Sequence, residues 1–309
     1  MQSLFIRTSI LLCALITVGQ SKAQTDADGI MMGKGLHCTG IMYGQSSWNN
    51  YWEGPLKRNN DNLGTVSQYM VGPMGSLGVL KNFNLLFSLP YIQTKASAGQ
   101  LKGFNGFQDL SLWGKYRFLR QKSGNYTISL FAIGGISTPM QDYVKDYLPL
   151  SIGLGSRNLT IRPMADLQFK DWFATASASY VSRSNITIDR TAYFTDRMVY
   201  SNKVTMPDAL QYNLRAGFRN KDMVAEVVMD KWNTLRGFDI SKNNMPFPSN
   251  RMIQTRVGIN GKYEPEKWKG ISLTGAAFQT IAGRNVGQSF SFQMGFFYIL
   301  NLSKDSQHK

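Results

Sequence analysis

From about residue 35 onward, apolar and polar positions alternate with a period of two. In Leu110–Phe118 one face collects Leu110, Leu112, Gly114, Tyr116 and Phe118, and the other Ser111, Trp113, Lys115 and Arg117. Residues 158–169 set Leu159, Ile161, Pro163, Ala165, Leu167 and Phe169 against Asn158, Thr160, Arg162, Met164, Asp166 and Gln168. Near the end Phe292, Met294, Phe296, Tyr298, Leu300 and Leu302 share one face. Successive side chains of a strand point to opposite faces, so each run predicts a strand with one greasy and one polar side. Helical periodicity is scarce after residue 30.

Strands are predicted over 35–43, 65–79, 83–95, 107–119, 125–137, 157–169, 172–184, 208–219, 222–233, 251–263, 269–280 and 289–302. Most reach ten or more residues, above the globular mode of about 5–6 and close to the ~9–11 that cross a bilayer when tilted. Connections alternate in length. Lys81-Asn82, 120–124, Lys170-Asp171, Asn220-Lys221 and 264–268 are short, whereas 44–64, 96–106, 138–156, 185–207, 234–250 and 281–288 are mostly long. An even number of strands, with short turns at one end and long loops at the other, describes a transmembrane antiparallel β-barrel of about twelve strands, its short turns periplasmic and its loops extracellular. The competing all-β architecture is a soluble sandwich. Against it, Trp172 and Tyr180 bracket Ala174, Ala176 and Ala178 on one face. Eight residues tilted by about 40° span roughly 20 Å, near the ~25 Å band between aromatic girdles. Small residues would fill a sandwich core poorly.

One hairpin is readable by residue. A two-residue turn at Asn220-Lys221 would place Arg219 opposite Asp222, Arg215 opposite Glu226 and Gln211 opposite Asp230. Opposite charges then pair on one face and apolar residues on the other. The polar face belongs to the lumen, because a charge toward mid-bilayer lipid costs ~2–4 kcal/mol.

The start of the chain reads as an address. Residues 1–23 carry Arg7, a short apolar core from Ile10 to Val18, and Ser21-Lys22-Ala23, which predicts a secretory signal cleaved between Ala23 and Gln24. Residues 24–34 follow as a periplasmic tail or a plug, 35–302 as the barrel, and 303–309 as a polar tail. The mature chain keeps Cys38 as its single cysteine, which rules out an internal disulfide.

Gly106-Phe107-Gln108-Asp109-Leu110, followed by Lys115-Tyr116-Arg117, resembles the Gly-x-Gly-Asp-Leu…Lys-Tyr-Arg signature of the meta-pathway phenol-degradation outer-membrane family, itself similar to the long-chain fatty-acid porins. Leu89-Pro90-Tyr91 also resembles that family, although Gln108 stands where a second glycine is usual. The resemblance is clear over roughly 65–140 and weaker beyond. It implies a Gram-negative outer-membrane barrel associated with uptake of small hydrophobic or aromatic compounds, and it carries over no functional residue. Gln293-Met294-Gly295-Phe296-Phe297-Tyr298-Ile299-Leu300 resembles the sorting signal read by barrel-assembly machinery, with the polar tail as a departure.

The 309-residue chain is 43% hydrophobic and 17% charged, with 34 basic against 19 acidic residues. That composition excludes disorder, and no run of ~18 apolar residues offers a membrane-spanning helix. The basic residues are dispersed rather than interleaved with aromatics in one region, so nucleic acid is not an expected partner. The expected partners are outer-membrane lipid and lipopolysaccharide, the assembly machinery, and a small solute. Histidines occur only at 37 and 308, and nothing marks a serine partner for His37. No metal-ligand spacing is present. Met31-Met32 reads as apolar filler, and Gly153-Leu154-Gly155 as a bend. No enzyme activity, cofactor or metal is expected.

Arg162, Arg215, Arg219, Arg256 and Lys262 fall on polar faces. Arg162, Asp166, Arg215, Glu226, Asp230 and Arg256 are the candidate lumen-lining set, either paired for structure or forming a mixed-charge constriction. The leading functional reading is a passive channel for small hydrophobic or aromatic solutes. The alternative is a structural or adhesive barrel that binds partners through its long loops, where Trp48, Tyr51 and Trp52 lie.

Overall fold

A computed structural model describes residues 24–240 and 245–302. The expected signal peptide and the tail 303–309 lie outside the described residues. Twelve long strands form one antiparallel ring. In chain order they are β1 (Leu36–Trp48), β2 (Val66–Leu80), β3 (Phe83–Ser88 continued by Tyr91–Ala96), β4 (Asn105–Phe107 continued by Asp109–Ser123), β5 (Tyr126–Pro139) and β6 (Asn158–Phe169). The second half comprises β7 (Trp172–Arg183), β8 (Ala209–Arg219), β9 (Met223–Thr234), β10 (Ile253–Tyr263), β11 (Ile271–Arg284) and β12 (Phe290–Asn301). Each strand pairs with its sequence neighbours. The ring closes where β1 meets β12, from Leu36 opposite Asn301 to Ser47 opposite Phe290.

The alternation becomes an inside and an outside. Ile41, Leu159, Ile161, Leu214, Val227, Ile259 and Phe296 are each more than half exposed, while Asn84, Lys115, Thr175, Ser179 and Asn213 are buried. An apolar exterior around a polar interior is the reverse of a water-soluble fold, and hydrocarbon is the medium that suits it. Aromatic residues gather near both ends of the outer wall. Trp172 packs edge-on against Phe218 and Tyr126 lies on Phe169 near the short turns. Tyr43 with Phe292 and Tyr91 with Phe107 do the same toward the loops.

All twelve predicted strands are present, and several details differ. β3 breaks at Leu89-Pro90, where proline has no N–H for the ladder. The halves stay in line because Leu89 N–H still donates to the Pro73 carbonyl at 3.0 Å. β4 runs to Ser123, so only Gly124-Asn125 separates it from β5. β1 extends to Trp48 and β11 to Arg284, which shortens the loops assigned to 44–64 and 281–288. Trp52 is buried against Gly283, where a Cβ would come within 2.4 Å of the indole.

The β8–β9 register is shifted by two from the predicted one. Arg219 stands opposite Val224 and Arg215 opposite Val228. Asn220 closes the longer turn, its Oδ1 accepting the N–H groups of Asp222 and Met223 at 2.9 and 2.8 Å. A shift of two keeps every side chain on its own face, so the inside–outside assignment survives while the opposite pairs change.

Two bulges bear on the interior. One lies between Arg117 and Leu119 on β4, and the other sets Thr255 opposite Ala282 but Arg256 opposite Thr280, leaving Ile281 of β11 unmatched. The loop end also carries short hairpins (Asn50–Glu53 with Leu56–Asn59, and Tyr193–Phe194 with Met198–Val199) and a small apolar cluster of Ile186, Ile188, Tyr193, Val204 and Met206.

Candidate functional site

The interior is where the side chains converge. Residues 24–34 run inside the ring, with Asp28 and Met32 almost wholly buried. The segment touches opposite walls: Met32 packs with Leu36, Cys38, Phe297 and Ile299, and Ile30 with Phe173 and Val224. Asn84, Phe173, Val224 and Lys262 each lie within three residues of a short turn, so the segment fills the short-turn half of the lumen.

Its anchor is Asp28. The carboxylate receives Lys115 at 3.2 Å and Lys262 from another strand at 2.5 Å. It also caps the segment's own turn, accepting from the Thr25 N–H at 2.7 Å and the Ile30 N–H at 3.1 Å. The Lys115 ammonium, fully buried, donates in addition to the carbonyls of Thr25 (3.0 Å), Asp28 (2.6 Å) and Ile30 (2.8 Å). A buried charge needs both a counter-ion and filled hydrogen bonds, and here one carboxylate and three carbonyls provide them.

The candidate residues are all on the inner wall, Asp166 directly beside Gly29 of the segment. Arg162 donates from all three of its guanidinium nitrogens, to Ser179 at 2.5 Å, to Gln211 at 3.0 Å and to Asp26 of the internal segment. Arg215 reaches diagonally to Glu226 at 2.7 Å, a pair the corrected register still permits. Asp230 binds Arg256 of the next strand at 2.8 Å and accepts from Gln211 at 2.9 Å. Asp166 accepts from both Nη groups of Arg219 at 3.1 Å and from the Thr175 hydroxyl at 2.5 Å. Arg219 therefore pairs across the intervening β7 with Asp166 rather than with Asp222, as the two-residue register shift dictates.

A cavity of about 310 Å³ opens above Asp26 and Ala27. Its wall includes Arg162, Arg215, Asp230 and Arg256 together with Trp113, Trp232 and Phe278, while Asp166 and Glu226 are not part of it. Sequence reasoning did not single out Asp26, Asp28 or Lys115 as site residues. Lys115 was visible on the polar face of β4, but its partners belong to a segment without periodicity, and only the folded chain brings them together.

Among the described residues, no group of three or more His, Cys, Asp or Glu could hold a metal ion. At the loop end, Asp239 accepts from Arg284 Nε and from Asn285 Nδ2, each at 2.8 Å. The Arg284 hydrogen bonds hold the Asp239 carboxyl below the ordinary carboxylate range.

These features define a closed twelve-stranded ring with a greasy outside, a charged inside and a partly filled lumen. No family model and no curated protein matches the sequence. Among solved structures, an outer-membrane channel from Pseudomonas putida F1 designated COG4313 superposes with a TM-score of 0.70 at 12% identity, over 87% of this chain and 97% of that one. The fold is that of an outer-membrane β-barrel. The translocator domain of the Neisseria meningitidis autotransporter NalP (TM-score 0.44, 10% identity, 86% and 89% covered) and OccD3 from Pseudomonas aeruginosa (0.38, 10%, 91% and 95%) are more distant in shape.

Proposed function

We propose that the protein is a passive channel of the Gram-negative outer membrane for small hydrophobic or aromatic solutes. The observation that carries this reading is the water-facing cavity held inside a twelve-stranded ring, bounded below by residues 24–34. A ring of this size exceeds the eight-stranded interior that side chains alone can fill. Arg162, Arg215, Asp230 and Arg256 give that passage a mixed-charge lining, with Glu226 and Asp166 holding Arg215 and Arg219 in place. Charged rings of this kind set which solutes pass. The aromatic solute class rests on the family resemblance and on Trp113, Trp232 and Phe278 in the wall. Outer-leaflet lipopolysaccharide and inner-leaflet lipid are the partners of the exposed wall, and the assembly machinery is the partner of β12 during insertion.

The test is conductance across planar bilayers together with swelling of loaded liposomes. Expected are discrete current steps and entry of small neutral solutes. Arg215→Gln and Glu226→Gln should shift ion selectivity in opposite directions. A bilayer that stays sealed at high protein load would refute the channel and favour a structural or adhesive barrel.

A further inference from the structure

The cavity above the internal segment has a chemically uneven wall. All three guanidinium nitrogens of Arg162 already donate within the protein, Nε to Ser179, Nη1 to Asp26 and Nη2 to Gln211. Arg256 differs. Only its Nη2 is used, by Asp230 at 2.8 Å, while Nη1 donates to nothing among the described residues and the side chain is 34% exposed. A guanidinium N–H without a protein acceptor is free to donate to a solute. The Phe278 ring lies 5.2 Å from this guanidinium. The β11 bulge falls at the same point, between the partners of Thr255 and Arg256. Bulges serve to re-aim side chains beside functional sites. Nearby, Arg215 spends Nε on Asn213 and Nη1 on Glu226, each at 2.7 Å.

Facing the cavity from β4 is Trp113, pinned against the backbone of Gly135, where a Cβ would come within 2.2 Å of the ring. The Arg162 guanidinium lies 5.4 Å from the same ring, so the wall sets guanidinium groups beside an aromatic surface. The two carboxylates of the wall are both engaged, Asp26 by Arg162 and Asp230 by Arg256, Gln211 and Asn213.

We infer that this cavity binds a small organic carboxylate carrying a flat apolar body, with the carboxylate on Arg256 and Arg215 and the body against Trp113. The inference rests on the channel reading for its place in transport, and it narrows the aromatic solutes of that reading to those that carry a carboxylate. Guanidinium and carboxylate match as paired hydrogen bonds. The volume is at the lower end of the ~300–1,000 Å³ range of ligand sites, which suits a single-ring acid and excludes a lipid-sized one.

Benzoate and its neutral analogue benzyl alcohol separate the contributions. Tryptophan fluorescence of the full detergent-solubilised protein, titrated with each, reads binding at a cavity walled by Trp113 and Trp232. Current across planar bilayers reads the channel independently. Benzoate is expected to bind about tenfold or more tightly than benzyl alcohol, as one charge-assisted pair allows. Arg256→Gln should remove that advantage, and Arg256→Lys should restore part of it, which separates lost charge from lost fold. Equal affinity for the two probes, absence of benzoate binding, or full benzoate affinity in Arg256→Gln would each overturn the site. Selective benzoate binding by a protein that carries no current would retain the site and reject the channel.

Discussion

Replacing Asp28 by alanine should release the internal segment. The substitution leaves Lys115 and Lys262, which are 0% and 4% exposed, without their shared carboxylate, and it also removes the cap on the Thr25 and Ile30 N–H groups. Removing one partner of a buried ion pair costs about 3–5 kcal/mol. The three carbonyls around Lys115 remain only while the segment stays in place, so most of that cost is relieved by its departure. At ~1.4 kcal/mol per tenfold, the displaced population rises by roughly two to three orders of magnitude. The molecule contains its own reporter. Cys38 points inward, 1% exposed, and is covered by Met32 of the same segment. Labelling by a water-soluble maleimide follows the displaced population when opening is fast relative to reaction. Labelling of Asp28→Ala is expected to be about a hundredfold faster than that of the parent. A rate within threefold of the parent, in protein that still shows the heat-modifiable gel mobility of a closed barrel, would refute the claim that Asp28 holds the segment.

Two further outcomes follow from the wall and the loops. Val227→Arg places a charge on an outward position that is 63% exposed and flanked by Ala216 and Ile259. It should lower stability in lipid vesicles by about 2–4 kcal/mol if that position is near mid-bilayer; a denaturant titration showing no loss would mean that hydrocarbon does not cover this face. Because the carboxyl of Asp239 is held below its ordinary range, its contribution is present above the unfolded value of about 3.9 and is lost as pH falls through the folded one. Hydrogen exchange over 235–240, corrected for intrinsic rates, should be flat between pH 5 and 8 and should rise in acid. Asp239→Asn should abolish the acid step, and a step that persists in that variant would assign it elsewhere.

The ring itself was legible because strand periodicity survives without tertiary information. Trp172 and Tyr180 fall outside and Arg162 and Asp166 inside, as parity alone dictates. Register is a weaker signal. At β8–β9 two registers keep the same faces, and both place Arg215 within reach of Glu226, so charge matching did not distinguish them. The side-chain cap supplied by Asn220 did. Arg219 illustrates the consequence: its partner Asp166 is 53 residues away, on a strand that is not its neighbour. The bulges left no mark in the alternation strong enough to separate them from ordinary strand ends. Asp26 and Asp28 are acidic residues in a short aperiodic stretch, and their partners belong to β4, β6 and β10.

The path of the internal segment past the seam has a topological consequence. Residues 24–34 come immediately before β1, and β1 forms its last edge contact with β12, the last strand of the ring in chain order. The hoop is therefore completed with residues 24–34 already enclosed, or that segment must afterwards be tucked in. A bulky insert within it would be trapped or would jam the closure, whereas an insert at a loop tip such as Tyr200, 85% exposed, would never meet the lumen.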